Sequence, residues 1–395
     1  MVMNRGVQLI QKPASPHTGI GRYVAELERG LADRAVESVR IPLRNPMPRF
    51  VISAARRAGY DLEAFFGSYP LRSQARAGYL THLTSQTLGA LLLTQRLPRP
   101  VVVTVHDILP YLLRKNPSLS VYQTSAQRLM DVFAMRGLKR ADRLITDSHY
   151  TKSTLIDTFD IREDRITVVH LGVDSQRFRP AAVPAAFRAR HNVPNDRPYV
   201  LFVGSEDPRK NLGLLFEAFA RVRQDVPDAM LLKVGAAAFD VQRRANLRLC
   251  ADLGIAGAVR FFDDVPEDQL PTFYRLASVL AFPSLYEGFG FPVLEALASG
   301  TPVVAADASS IPELVGGAAT LVDGTSVDAF AAALVETLRS EAGDAQARVS
   351  QAATFSWSRT IDCTLAAYAN AEASYDAKRS AGNSTRAAFS QRADR

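Results

Sequence analysis

Glu287-Gly288-Phe289-Gly290-Phe291-Pro292-Val293-Leu294-Glu295-Ala296-Leu297 follows an apolar run, Ser278-Val279-Leu280-Ala281-Phe282-Pro283. The run reads as a buried strand, the glycines as a turn, and the residues from Pro292 onward as the start of a helix. Two carboxylates eight positions apart therefore fall on the turn (Glu287) and within the first turns of the helix (Glu295). A strand, glycine turn and helix start in that order aim backbone N–H groups and the positive helix end at an anion. A carboxylate beside a phosphate repels it, so both glutamates are better suited to accept from hydroxyls. A ligand that carries a phosphate and several hydroxyls is implied, and a nucleotide sugar meets that description. The alternative is a solvated glutamate pair on a surface helix. It fits poorly with the apolar crowd of Tyr286, Phe289, Phe291, Val293, Leu294 and Leu297 around them.

The same alternation runs through the second half. Strands are predicted at 199–204, 230–235, 259–263, 279–283, 302–306 and 319–322. Helices are predicted at about 212–223, 241–253, 267–277, 292–299 and 327–339. Apolar strands alternating with helices imply a doubly wound parallel sheet covered on both faces. The first half is less regular but of the same type. A strand at 7–11, a Pro/Gly loop from Pro13 to Gly21, and a helix from about Arg22 to Ala32 come first. A strand at 101–106, a helix near 122–138, and strands at 143–146 and 166–170 follow. Residues 40–80 fit no pattern. Prolines 180, 184, 194 and 198 in a polar stretch read as an interdomain linker. Past Ala377 the polar, Ser- and Ala-rich tail, 378–395, reads as disordered. The expected organisation is thus an α/β N-terminal domain over 1–180 and a second over 196–355, with a helix at about 358–376 packing back on the first. Ligands of doubly wound sheets bind at the carboxyl ends of the strands, here in a cleft between two such domains.

Composition bounds the rest. The chain has 395 residues, 47% hydrophobic and 22% charged, the proportions of an ordinary globular protein. No apolar run reaches the ~18 residues of a membrane span, and the start shows no signal-peptide core. Cys250 and Cys363 are far apart and offer neither a metal spacing nor a disulfide framework, so a reducing cytoplasm is expected. Charge is uneven: residues 1–180 carry 26 Lys and Arg against 15 Asp and Glu, and the remainder 21 against 25. A basic first half suits an anionic acceptor or peripheral contact with the inner face of the plasma membrane, although Arg-rich coding gives the same excess. Nucleic acid is not expected, because no basic-aromatic interleaving or nucleic-acid motif appears. Asp263, Asp264, Glu267 and Asp268 invite a metal reading. They are better explained as a strand end and a helix start, and no metal is expected.

A joint pattern spans residues 6 to 376 in order. It comprises Gly19-Ile20-Gly21-Arg22-Tyr23, Val105-His106-Asp107, Ala141-Asp142-Arg143-Leu144-Ile145-Thr146-Asp147-Ser148 and Val169-His170-Leu171-Gly172-Val173-Asp174 with Phe178. It continues with Val203-Gly204, Pro208-Arg209-Lys210-Asn211, the E-x7-E segment, Gly300-Thr301-Pro302-Val303-Val304 and Phe355-Ser356-Trp357. This pattern resembles the retaining family 4 glycosyltransferases, of the GT-B fold with two Rossmann-like domains facing across a cleft, and in particular mannosyltransferase-like bacterial members. The resemblance implies a metal-independent hexosyltransferase that needs no cofactor and moves sugar from a nucleoside-diphosphate sugar to a hydroxyl with retention. The acceptor would be a glycan or lipid-linked sugar of surface polysaccharide assembly. A GDP-mannose-like donor is favoured, with UDP-sugars next.

The resemblance also implies roles. Glu295 would accept from the ribose hydroxyls and Glu287 from a sugar hydroxyl, with the N–H groups of Gly288, Phe289 and Gly290 nearby. The N–H groups of Val293 and Leu294 would take a phosphate oxygen. Lys210 would bind the diphosphate. Ser205 stands where many relatives carry Arg, and Arg209 is expected to supply the missing guanidinium. Gly19 and Gly21 would let backbone approach the diphosphate from the first loop. His106 would donate to the donor sugar, with Asp107 orienting its ring or capping the next segment. Two rivals share these features: a nucleotide-sugar epimerase on the same fold, and a non-catalytic sugar-nucleotide-binding subunit on a membrane. An NAD-dependent oxidoreductase fails because Pro13 and Pro16 separate Gly19 and Gly21 from the strand and no third glycine follows in place.

Overall fold

The computed structural model describes residues 5–11, 18–43, 48–57, 75–116, 119–120, 122, 125–237, 240–340 and 343–393. The predicted loop residues Pro13 to His17 lie outside them. The chain divides into two units, Met1–Leu112 with Tyr122–His170 and Trp357–Arg395, and Leu113–Val121 with Leu171–Ser356.

In the N-terminal unit, β1 (Val7–Gln11), β2 (Ser38–Pro42), β3 (Leu80–Leu83), β4 (Val101–Val105), β5 (Arg143–Thr146) and β6 (Ile166–Val168) form one parallel sheet in the order β2-β1-β3-β4-β5-β6. The core gathers Ile10, Leu83, Val103, Met135, Leu144 and Leu155 between sheet and helices. β2 and β3, which sequence patterning does not assign, overlap the two ends of the stretch 40–80 that fits no pattern. Both are short, and β3 (Leu80-Thr81-His82-Leu83) is buried on both faces despite two polar residues. Gly19 and Gly21 lie inside the helix Gly19–Asp33, which starts earlier than predicted. The Thr18 hydroxyl caps it by accepting from the Gly21 amide at 3.1 Å.

In the C-terminal unit, β7 (Tyr199–Val203), β8 (Met230–Val234), β9 (Val259–Phe262), β10 (Val279–Phe282), β11 (Val303–Ala306) and β12 (Thr320–Val322) form a parallel sheet in the order β12-β11-β10-β7-β8-β9. The chain begins in the middle at β7, builds outward through β8 and β9, and then returns to β10 on the other side. Its switch point is the gap between β7 and β10, the place where doubly wound sheets hold ligands. Phe202, Phe216, Phe219, Leu231, Val279 and Phe330 are among the core residues.

Two predicted features differ. The stretch read as a linker holds a helix, Ala185–His191, whose Phe187 packs edge-on against Phe273 with ring centroids 5.0 Å apart. Pro184 precedes the first helical residue, where a proline starts a helix without losing a hydrogen bond. The tail read as disordered continues the helix Trp357–Ala393. Among the described residues, no helix is long and apolar enough to cross a membrane.

Candidate active site

Three loops at the carboxyl end of the second sheet converge on Glu287. After β7, Gly204 (φ +155°) turns the chain, and Pro208–Lys210 forms a 3-10 turn. Asn211 then takes a left-handed conformation (φ 58°) before the helix Leu212–Asp225, and its side-chain amide donates to Gly324 O at 2.8 Å. After β10, the Leu285 amide donates to Arg209 O at 3.0 Å, and the Arg209 guanidinium donates to Tyr286 O at 2.8 Å. After β11, Ser309 Oγ accepts from the Glu287 amide at 2.9 Å, while Ser310 Oγ donates to Phe289 O at 2.6 Å and Glu287 O at 3.1 Å. The carboxylate is thus carried on a loop tied to both of its neighbours.

Lys210 Nζ lies 2.5 Å from Glu287 Oε1, and an Arg209 guanidinium nitrogen 3.1 Å from Oε2. Glu287 is 6% exposed. Burial alone would raise its pKa, but the charges of Lys210 and Arg209 outweigh it and hold the carboxyl below its ordinary value. Lys210 also sits 5.3 Å from the centroid of the Phe282 ring. The structure therefore brings together the residues assigned separately to diphosphate (Arg209, Lys210) and to sugar (Glu287), as one buried ionic cluster across the switch point.

Gly290 has φ 119°, and a Cβ there would meet Ile311 Cδ1 at 2.7 Å. Glycine is required on both counts. In the helix that follows, Phe291–Ala298, the Val293 and Leu294 amides, expected to take a phosphate oxygen, bond Gly290 O at 3.1 and 3.3 Å within the first turn. Phe289 is buried edge-on against Phe291 and Phe355. Gly288 lies between Glu287 and Phe289 on the same turn. Glu295, 2% exposed, accepts from the Tyr274 hydroxyl at 2.7 Å. Tyr274 lies on the helix Leu270–Leu276 and was not singled out by sequence, because nothing in its helical spacing separates it from a core aromatic.

In the N-terminal unit, His106 follows β4. Its ring nitrogens, expected to donate to the donor sugar, face two oxygens of the same unit: Nδ1 lies 2.6 Å from Asp147 Oδ2 and Nε2 3.0 Å from Thr84 O. Asp107 Oδ1 accepts from the Leu109 amide at 3.2 Å and caps the next segment. The Gly21 amide, bonded to Thr18, is likewise engaged.

A second ionic cluster on the other side of β7 escaped the sequence reading. Glu206 is met by Lys233 Nζ at 2.9 Å, by Arg243 at 2.6 Å and by the Asn246 amide at 2.8 Å. Arg243 continues to Asp263, so that aspartate serves an arginine. Glu267 pairs with Arg177 at 3.3 Å, and Glu267 and Asp268 precede the helix Leu270–Leu276 rather than opening it. The available signal was Lys233, a lone charge inside the apolar strand Met230-Leu231-Leu232-Lys233-Val234, which demands a buried partner.

Residues 17–177 match the family model described as Glycosyltransferase Family 4, and residues 185–354 the model described as Glycosyl transferases group 1. The chain belongs to glycosyltransferase family 4. Among its relatives, the D-inositol 3-phosphate glycosyltransferase of Mycolicibacterium smegmatis is 34% identical over 284 residues, covering 71% of this chain and 64% of the relative. The protein of the same name from Streptomyces avermitilis is 33% identical, over 70% of this chain and 61% of the relative. The match thus spans less than two thirds of the length of these relatives. Among solved structures, sucrose-phosphate synthase from Thermosynechococcus elongatus superposes with a TM-score of 0.67 at 22% identity, covering 93% of this chain and all of the other. Anabaena HepE, solved with UDP and glucose, gives 0.66 at 19% identity over 92% of this chain and all of the other. The family 4 chain therefore has the two-domain α/β GT-B fold.

Proposed function

We propose that the protein transfers a hexose from a nucleoside-diphosphate sugar to a hydroxyl acceptor, with retention at the anomeric carbon. The observation that carries this reading is the Arg209–Lys210–Glu287 cluster across the β7/β10 switch point. A diphosphate that enters there competes with Glu287 for two cations already held in place. The carboxylate, relieved of part of its pairing, then accepts from hydroxyls of the sugar. Fixed cations stabilise the negative charge that gathers on the departing nucleoside diphosphate, a task that metal ions perform elsewhere; chelators are therefore expected to leave turnover intact. Glu295, held by Tyr274, accepts from the ribose hydroxyls.

Retention is accounted for by same-face attack, in which the leaving phosphate oxygen takes the acceptor proton as the new glycosidic bond forms. Two donors have support. The Pro208-Arg209-Lys210-Asn211 segment favours a GDP-mannose-like donor, and the HepE structures solved with UDP and with UDP-glucose favour a UDP-hexose. The acceptor is a glycan or lipid-linked hydroxyl taken by the N-terminal unit, whose excess of Lys and Arg suits an anionic acceptor or membrane surface. The relatives named as D-inositol 3-phosphate glycosyltransferases make a phosphorylated polyol a further acceptor to assay.

Calorimetric titration with GDP, UDP, ADP and dTDP in the presence of chelator tests the reading. One nucleotide is expected to bind, and Lys210→Ala to weaken it. Failure of all four to bind overturns the proposal.

A further inference from the structure

His106 has oxygen acceptors at both ring nitrogens. Asp147 Oδ2 stands 2.6 Å from Nδ1, and the main-chain oxygen of Thr84 stands 3.0 Å from Nε2. A carbonyl oxygen has no proton to give. A neutral imidazole carries one N–H, so in its neutral form one of these two oxygens would face a nitrogen lone pair inside a buried site. The imidazolium alone donates to both. Asp147 supports the same state from the other side. Its second oxygen, Oδ1, is buried without a hydrogen-bond partner among the described residues, so His106 is the group positioned to neutralise the carboxylate.

His82, on β3, provides an internal control. Its nitrogens face the Tyr368 hydroxyl at 2.6 Å and Thr104 Oγ1 at 2.8 Å, groups that either donate or accept. A neutral ring satisfies both, and burial pushes its pKa down to about 3. The Tyr23 hydroxyl joins Thr104 at 2.9 Å, and the Tyr23 ring meets His106 edge-on at 5.0 Å. The titratable groups around His106 are therefore Asp147 beyond β5, its own neighbour Asp107, Tyr23 on the first helix and His82 on β3. Thr84 and Gln86 face it from the segment after β3, and Thr151 from the helix His149–Phe159. Burial disfavours the charged ring, but the Asp147 carboxylate outweighs it, and the pKa of His106 rises above the ordinary histidine value.

We propose that Asp147 is a positioning residue that holds His106 as an imidazolium between β3, β4 and β5, giving the reaction a permanent cation and no general base. The part concerning the reaction rests on the transferase reading; the protonation state does not.

The chain has six histidines, so the imidazole nitrogens of the full-length, ¹⁵N-histidine-labelled protein can be resolved by long-range ¹⁵N–¹H correlation, with His106 assigned by its loss in His106→Gln. Both His106 nitrogens are expected to remain protonated from pH 6 to 8, while His82 shows the neutral pattern throughout. In Asp147→Asn the His106 titration midpoint is expected to fall by more than one pH unit, and Asp147→Glu to restore much of it. The high-pH limb of the transfer rate, measured with the nucleotide sugar of the base identified by calorimetry, is expected to move with that midpoint. A purely structural Asp147 would lower the melting temperature and leave the limb in place. A neutral His106 at pH 7 in the unmodified chain overturns the proposal without recourse to any variant. A limb that stays fixed while the midpoint moves overturns its role in the reaction. An intact imidazolium in a chain that transfers no sugar at any pH upholds the protonation state and overturns the transferase reading.

Discussion

In the C-terminal unit two buried ionic clusters stand on either side of β7, and they are built differently. Glu206 takes donors from β8 and from the helix Asp240–Asp252, and both its side chain and that of Lys233 are 0% exposed. Glu287 takes both its cations from a single turn, Pro208–Lys210; the Arg209 side chain keeps 21% of its surface in solvent, much as Arg243 keeps 20% in the first cluster, and that of Lys210 keeps 9%. A carboxylate met by strand and helix donors on both oxygens can change partners only if the sheet opens. One met by two loop cations can exchange them for a ligand. On the proposed reading the first cluster fixes the frame, and the second is the working surface.

The largest expected effect tests that division directly. Glu206→Ala leaves Lys233 charged and buried without its counter-ion, and should destabilise the protein by about 3–5 kcal/mol. Glu287→Ala removes a carboxylate whose two cations sit on one loop, which can shift to bring them to water, and should cost less than half as much while abolishing donor use. Urea unfolding of both variants checks this. Equal destabilisation would erase the distinction between frame and working surface.

Next in size is Lys210→Ala. If its charge is used chiefly as the leaving group departs, turnover should fall ~100–1,000-fold, roughly 3–4 kcal/mol, with a smaller loss in nucleotide affinity. Unchanged turnover would remove Lys210 from the site. Glu295→Ala should weaken nucleotide binding by ~2–3 kcal/mol, because two hydrogen bonds to a charged group are lost. Calorimetry reads that loss, and an unchanged affinity would detach Glu295 from the ribose.

The N-terminal unit extends the comparison to pH. His82 has a folded pKa of about 3 against an ordinary value near 6.5, so between these values the unfolded chain binds a proton that the folded chain refuses. Stability should therefore decline as pH falls through that window, by at most ~1.4 kcal/mol per pH unit from this group. His106 has the opposite sign: its raised pKa contributes stability that is complete below the unfolded value and lost as pH rises through the folded one. Replacing His82 with Gln should flatten the acid side of the stability–pH curve and leave the alkaline side alone.

Much of this was legible in the chain. The sheets followed from apolar runs, and the E-x7-E segment placed Glu287 on its turn and Glu295 in its helix, because a glycine turn between a strand and a helix allows few geometries. β2 and β3 were not legible, since short strands with polar residues carry no period. The pairing of Lys210 with Glu287 was also hidden: 77 residues separate them, and only the adjacency of β7 and β10 brings them together. His106 was visible as a residue, but its partner Asp147 was not, because the neighbouring Asp107 offered a nearer answer. Parallel sheets join distant strands, so local sequence names the groups at a switch point better than it names their partners.

Tyr274 is where that lesson yields the smallest prediction. Its hydroxyl donates to Glu295 Oε2 at 2.7 Å inside a fully buried contact, and its ring packs edge-on against Phe178 at 5.8 Å. Tyr274→Phe keeps the ring and removes one hydrogen bond to the carboxylate. Glu295 then loses one of the contacts that orient it, so nucleotide binding should weaken by ~1 kcal/mol with turnover at saturation unchanged. The double variant Tyr274→Phe with Glu295→Ala decides how the tyrosine acts. If it works by orienting Glu295, the second substitution should add nothing to the binding loss of Glu295→Ala alone. Fully additive losses would assign Tyr274 a separate contact of its own.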